Sequence, residues 1–160
     1  MKKIVSIFLT VGLGIVIAQC ETSSRRPSRF LIPQGYVGWV QVDFGVKGAP
    51  PAQTDEGFHL FKFSADGRIV TSSDIEFGKA MNEYYCYADD RRQKLSLGEE
   101  DRGGMIWAHT TGTTEDTKNN SRNNFERFFV GSEAEYRLAE RELGPTAEPS
   151  LGPVQKGTPH

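Results

Sequence analysis

Alternation of apolar and polar positions with a period of two dominates the middle of this chain, the pattern of strands with one buried face. From Tyr36 to Phe44, Tyr36, Val40, Val42 and Phe44 share one face with Gly38 among them. Val37 and Trp39 share the other face with Gln41 and Asp43. Phe58–Ala65 and Arg68–Ser72 predict two further strands. Asp66-Gly67 between them predicts a hairpin, because this dipeptide accepts the positive φ values of a two-residue turn. Glu83–Ala88, ended by Asp89, Asp90, Arg91 and Arg92, predicts another strand, as do Met105–Thr110 after Gly103-Gly104 and Phe125–Val130. Thr111 to Asn124 is polar and rich in Asn, which predicts a surface loop.

One helix is signalled after the last strand. Ser132 with Glu135 three positions on forms a capping box. Tyr136, Ala139 and Leu143 make a narrow apolar stripe, and Gly144-Pro145 ends it. Such a helix lies on the outside of the domain. The elements together predict a mainly β fold, a small antiparallel β-sandwich or barrel with one C-terminal α-helix. The 17 Gly, 10 Phe and 5 Tyr of the 160 residues agree with strands joined by tight turns.

The ends of the chain carry different signals. Lys2 and Lys3 precede the uncharged, mostly apolar run Ile4–Ala18, and polar residues follow at once. A bilayer-spanning helix needs about 20 apolar residues. Residues 1–19 are therefore expected to be an export signal rather than a permanent anchor. Ile17-Ala18-Gln19-Cys20 resembles a bacterial lipobox, with Gln19 departing from the usual small residue. In that class the motif implies acylation of Cys20 and cleavage just before it. A cut after Ala18 is the alternative, giving a soluble periplasmic or secreted protein. Residues 20–28 are expected to be a polar tether and residues 29–144 a β-rich domain. Residues 145–160, with Pro145, Pro149, Pro153 and Pro159, are expected to be a disordered tail. The two cysteines follow the cut. With Cys20 acylated, Cys86 is a lone thiol expected in the core; with the cut after Ala18, a Cys20–Cys86 disulfide becomes open to the chain.

Charge and composition narrow the function classes. With 19 Lys and Arg against 21 Asp and Glu, the net charge of -2 excludes a broad basic face for nucleic acid. The mean hydropathy of -0.49 excludes a polytopic membrane protein. His59 and His109 are the histidines placed on strands. Neither has the close spacing that fixes two metal ligands on one face, so no metal or other cofactor is expected. The sequence lacks a nucleophile elbow and a complete phosphate loop. Trp39, Tyr85, Tyr87 and Trp107 are candidates for an aromatic binding surface, though aromatic residues in strands are more often core.

The runs Ile32-Pro33-Gln34-Gly35-Tyr36-Val37-Gly38-Trp39-Val40, Ala49-Pro50-Pro51, Gly67–Ser73, Glu83-Tyr84-Tyr85 and Phe128-Phe129-Val130-Gly131-Ser132 with Glu135-Tyr136-Arg137 resemble an uncharacterised bacterial family of secreted proteins and lipoproteins. That resemblance spans about residues 30–142 and implies an envelope protein with a β-rich domain of unknown function and no catalytic residues to carry over. The expectation is a non-catalytic binding or structural module, anchored to the membrane through Cys20, with an envelope protein or glycan as ligand. The alternative is a small secreted hydrolase using His59 or His109 with a carboxylate.

Overall fold

The computed structural model describes residues 24–98, 103–116, 121–143 and 149–154. In chain order the strands are β1 (Ser28–Pro33), β2 (Gly38–Phe44), β3 (Gln53–Asp55), β4 (Phe58–Lys62), β5 (Arg68–Val70), β6 (Glu83–Ala88), β7 (Arg91–Leu95), β8 (Ile106–Asp116) and β9 (Ser121–Val130). Helix α1 (Glu133–Leu143) and a short β10 (Gly152–Pro153) complete the elements of the described residues. One sheet runs β3-β4-β1-β6-β7 and the second runs β10-β2-β9-β8, with β5 also on β2. The two open sheets face each other as a sandwich, and neither closes into a barrel.

Strand β1 sits at the centre of the first sheet, parallel to both β4 and β6. Its Phe30, Leu31 and Ile32 are all buried, an unbroken apolar run of the kind that parallel strands covered on both faces require. The alternation in β2 is realised as predicted. Tyr36, Val40, Val42 and Phe44 join Phe30, Ile32, Phe61, Phe63, Tyr84, Ile106, Phe128 and Val130 in the core between the sheets. Val37 and Trp39 face the opposite way and pack with Trp107, Phe129, Tyr136 and Ala139 beneath α1. The capping box forms: the Ser132 backbone N–H donates to Glu135 Oε2 at 2.9 Å, and the Glu135 N–H donates to Ser132 Oγ at 3.4 Å.

Both sheets are mixed rather than antiparallel, and one turn explains much of the difference. Asp66-Gly67 does make a tight turn, with the Gly67 N–H on the Ser64 carbonyl at 3.2 Å. The flanking strands do not pair. β4 lies parallel to β1 in the first sheet, whereas β5 lies parallel to β2 in the second. The turn crosses between layers because Phe61 and Phe63 bury on one sheet while Gly67 packs against β2 of the other. The nearby hairpin is β6–β7, joined by Asp89-Asp90 with Asp89 at φ 50°. The stretch expected to be a loop from Thr111 is largely strand, as β8 and β9 form a long antiparallel ladder. Its threonines are β-branched and suit a pleated surface even where that surface is wet.

Two boundaries also move. Ser24–Ser28 packs on the domain instead of belonging to a tether: Ser24 bridges to Lys79 and Ser28 begins β1. Near the other end, β10 returns to pair Gly152 with Trp39 and Pro153 with Gly38, so this part of the proline-rich segment is not a free tail. Proline serves there because an edge residue need not donate to a ladder. Cys86 is half-buried and free rather than core. It opens on a depression of about 280 Å³ shared with Gln34, Ala88, Arg91, Arg92 and Gln93, and none of these lining residues belongs to the second sheet.

Gly67 holds the crossing turn against β2. Its φ of 68° is in the left-handed region, and a Cβ there would collide with Tyr36 Oη and the Trp39 carbonyl oxygen. These two atoms are hydrogen-bonded at 2.7 Å, in a site whose burial raises the Tyr36 pKa. Gly48 has a comparable φ of 85° but open space around it. Gly48→Ala should cost only the left-handed penalty of about 1–2 kcal/mol. Gly67→Ala should add an overpacking cost of about 1–3 kcal/mol. Urea unfolding of the two variants side by side measures the difference, and equal losses would show that the close approach carries no strain.

Candidate functional site

The inward face of β9 holds Glu126, Phe128 and Val130, so alternation places a carboxylate in a row of core positions. The Glu126 side chain is only 4% exposed. A buried carboxylate is costly unless paired and hydrogen-bonded. Three groups converge on its Oε1: His109 Nε2 at 2.8 Å, Asn82 Nδ2 at 3.3 Å and Arg25 Nη2 at 3.6 Å. Asn82 in turn accepts through Oδ1 from Arg25 Nη2 at 3.1 Å and from the Ser28 N–H at 3.0 Å.

His109 reaches this carboxylate because β8 is irregular. Its register with β9 shifts between Trp107 and Thr110, and Ala108 adopts φ 50°, which is unfavourable for a residue with a Cβ. The bulge turns the imidazole inward, edge-on to the rings of Phe30 and Phe128 at 5.9 and 5.4 Å. The Tyr84 hydroxyl meets Nδ1 while Nε2 faces Glu126. Donation from Nε2 to the carboxylate leaves Nδ1 to accept from the tyrosine, so both ring nitrogens are engaged.

An open cleft of about 830 Å³ lies above this cluster. Arg25, Asn82, His109, Thr110 and Glu126 line it on one side, and the segment Glu76–Met81 forms its rim. A second cavity of about 450 Å³ shares Ala80–Asn82 and His109 with it and reaches Tyr84, Leu97 and Ile106. Both volumes fall in the range of ligand pockets. The rim is pinned by Glu76, whose Oε2 accepts the Arg26 backbone N–H at 2.9 Å and whose Oε1 lies 3.0 Å from His59 Nε2. His59 Nδ1 is buried and has no hydrogen-bond partner among the described residues.

The sequence-predicted site residues scatter. Trp39 and Trp107 lie on the outer face of the second sheet, where the ring of Trp107 stacks on Tyr136 at 5.5 Å. Tyr85 and Tyr87 lie on the outer face of the first sheet, where Tyr87 donates to the Phe63 carbonyl at 2.9 Å. The four form no common surface, because sheet alternation sends each pair outward from a different layer. His59 and His109 occupy separate glutamate pairs, although Glu76 and Glu126 line the same cleft. No group of metal-ligating residues occurs among the described residues. Cys20 and residues 1–19, expected to be an export signal, lie outside the described residues. Sequence reasoning missed Glu126, Asn82 and Arg25. The available signal was an acid in phase with Phe128 and Val130.

The match to a family model described as a family of unknown function, DUF6843, covers residues 24–137, from the packed N-terminal arm to the middle of α1. The chain belongs to this family. The matched stretch includes every residue of the cleft cluster. The fold of this DUF6843 domain is similar to the solved structure of a Bacillus anthracis protein named a "Putative Lipoprotein", with 26% identity and a TM-score of 0.57 over 84% of this chain and 85% of that one. None of the curated proteins matches the chain. Among the described residues, no helix is long and apolar enough to cross a membrane.

Two outcomes test how the site is held. Glycine in a regular strand normally weakens it. At Ala108 it removes the left-handed penalty, so Ala108→Gly should be neutral or stabilising by up to about 1 kcal/mol in urea unfolding. A loss would place the strain elsewhere. The hydrogen bond from the Arg26 N–H, followed by that from His59, lowers the Glu76 pKa below the usual glutamate value. A carboxylate depressed in the folded state contributes fully above its unfolded pKa, and the contribution disappears as pH falls through the folded value. Glu76→Gln should therefore flatten the acid limb of the stability curve. Unfolding midpoints near neutrality and in mild acid measure this, and an unchanged limb would remove Glu76 from the arm's anchorage.

Proposed function

We propose that this protein is an exported lipoprotein of the cell envelope, cleaved before Cys20 and anchored by acyl groups on that residue, whose domain is a non-catalytic binding module. The ligand site is the cleft over Arg25, Asn82, His109 and Glu126, and the ligand is an envelope protein or glycan. The observation that carries this reading is the position of the N-terminal arm. Ser24 is already bridged to Lys79, and Arg25 reaches the cleft cluster. Tether and cleft therefore belong to one end of the domain. The similarity to the Bacillus anthracis protein supports the anchor, and the lipobox-like run at Cys20 supplies its chemistry.

The hydrolase alternative has one observation in its favour, the pairing of each strand histidine with a glutamate. A general base needs a nitrogen within reach of the proton it takes. His109 has both nitrogens engaged inside the fold, and the second nitrogen of His59 is buried. The cluster reads better as a fixed floor than as a proton shuttle.

Metabolic labelling with a fatty-acid analogue tests the anchor. The wild-type protein should carry label and fractionate with membranes, whereas Cys20→Ser should lose both. A mature chain that begins at Gln19 would overturn the reading.

A further inference from the structure

We propose that the segment Glu76–Asn82 contacts the bilayer, seating Phe77 and Met81 among the lipid headgroups and upper acyl chains beside the anchor at Cys20. The inference rests on the anchored reading above and adds a second, apolar contact to it. Phe77 is 66% exposed and Met81 89%, the most exposed large apolar residues described. A single exposed apolar side chain is ordinary. These two stand on one short segment, with the exposed Lys79 between them and the exposed Arg26 next to its start. Apolar side chains flanked by cations are the composition that settles at an anionic membrane surface.

The placement of the chain keeps this segment close to the anchor. Lys79 accepts the Arg25 backbone N–H at 3.3 Å through its carbonyl and bridges to Ser24, while Glu76 holds the Arg26 N–H at 2.9 Å. The segment and the arm therefore leave the domain together. Fully extended, the chain from Cys20 to Ser24 spans at most about 14 Å. The polar layer on each side of the hydrocarbon core is itself about 5–8 Å thick. An acylated Cys20 thus keeps Ser24, and Lys79 bridged to it, within about 14 Å of the anchored residue, so that the neighbouring Phe77 and Met81 can reach the polar layer. The surface is provided by phospholipid: the Glu76 carboxylate is engaged by the Arg26 N–H and His59, and the two cations Lys79 and Arg26 outnumber it, which suits an anionic leaflet.

The test uses the acylated protein purified from the envelope and returned to vesicles of phosphatidylglycerol and phosphatidylethanolamine. Met81→Trp places an indole at an exposed position that does not endanger folding, and Leu138→Trp on the exposed side of α1 is the remote control. The native protein supplies the baseline from Trp39 and Trp107. With acyl chains brominated, the Met81→Trp signal should shift to the blue and lose intensity, and the Leu138→Trp signal should not. No quenching at either position overturns the proposal, as does equal quenching at both. A blue shift without quenching by bromine also overturns it, since it reports burial against protein such as a second copy. The mass of the same sample reads acylation separately. If Cys20 carries no lipid, the anchored reading fails, and the chain from Cys20 is then coupled through that thiol to a maleimide lipid in a Cys86→Ser background. Quenching of the Met81→Trp indole there supports the contact, and its absence overturns it.

Discussion

The burial of Phe30 at the centre of the first sheet is the constraint on which the rest depends. Its ring meets Phe61, Tyr84 and Phe128 at 5.6, 5.3 and 5.0 Å, with His109 at 5.9 Å. These partners come from both neighbouring strands of β1 and from both strands of the facing hairpin. One side chain thus fixes the order of the first sheet and the spacing of the two layers. Full burial of a phenylalanine contributes about 1.5–3 kcal/mol, and stacked or edge-on ring pairs add to it.

Polar groups buried beside that aromatic centre give the N-terminal arm a single position. Arg25, Asn82, His109 and Glu126 satisfy one another at the edge of the core. Such a cluster adds little net stability compared with well-packed apolar residues, yet removing one member leaves an uncompensated charge. Its effect is therefore on geometry more than on stability. It decides where the chain enters the fold, and the strained Ala108 is retained because the imidazole must turn inward to complete the set. The outer faces follow the same logic. Arg29 is held by Asp55, Glu56 and Glu83 at 3.0 to 3.1 Å, and burial of Glu83, which alone would raise its pKa, is outweighed by Arg29 and Lys94. On the second sheet Arg68, Asp43, Gln41 and Arg127 form a chain of bonds at 2.6 Å.

A domain entered at one fixed point, with a cleft and two exposed apolar side chains at that point, is suited to work close to a surface. The likeness to the Bacillus anthracis protein agrees with an envelope role. On the anchored reading proposed above, the few residues between Cys20 and the packed arm limit how far the cleft can stand from the anchor.

The sequence by itself determined the elements whose signals are local. The two faces of β2, the Asp66-Gly67 turn and the Ser132–Glu135 cap all follow from neighbouring residues, since pleat, turn and cap are each satisfied within a few positions. Partners were decided only by tertiary structure. The same Asp-Gly turn serves a hairpin or a crossing between layers, and what selected the crossing was the burial of Phe61 on one sheet and the seat of Gly67 on the other. Strand β1 escaped period-2 reading because a strand covered on both faces has no polar alternation to show. The wet end of β8 and β9 escaped it because a ladder supplies their order and no core supplies a pattern. Glu126 carried a legible anomaly, an acid in phase with Phe128 and Val130. Its meaning depended on Arg25, Asn82 and His109, which are distant in sequence and come together only when β1 brings the two layers face to face.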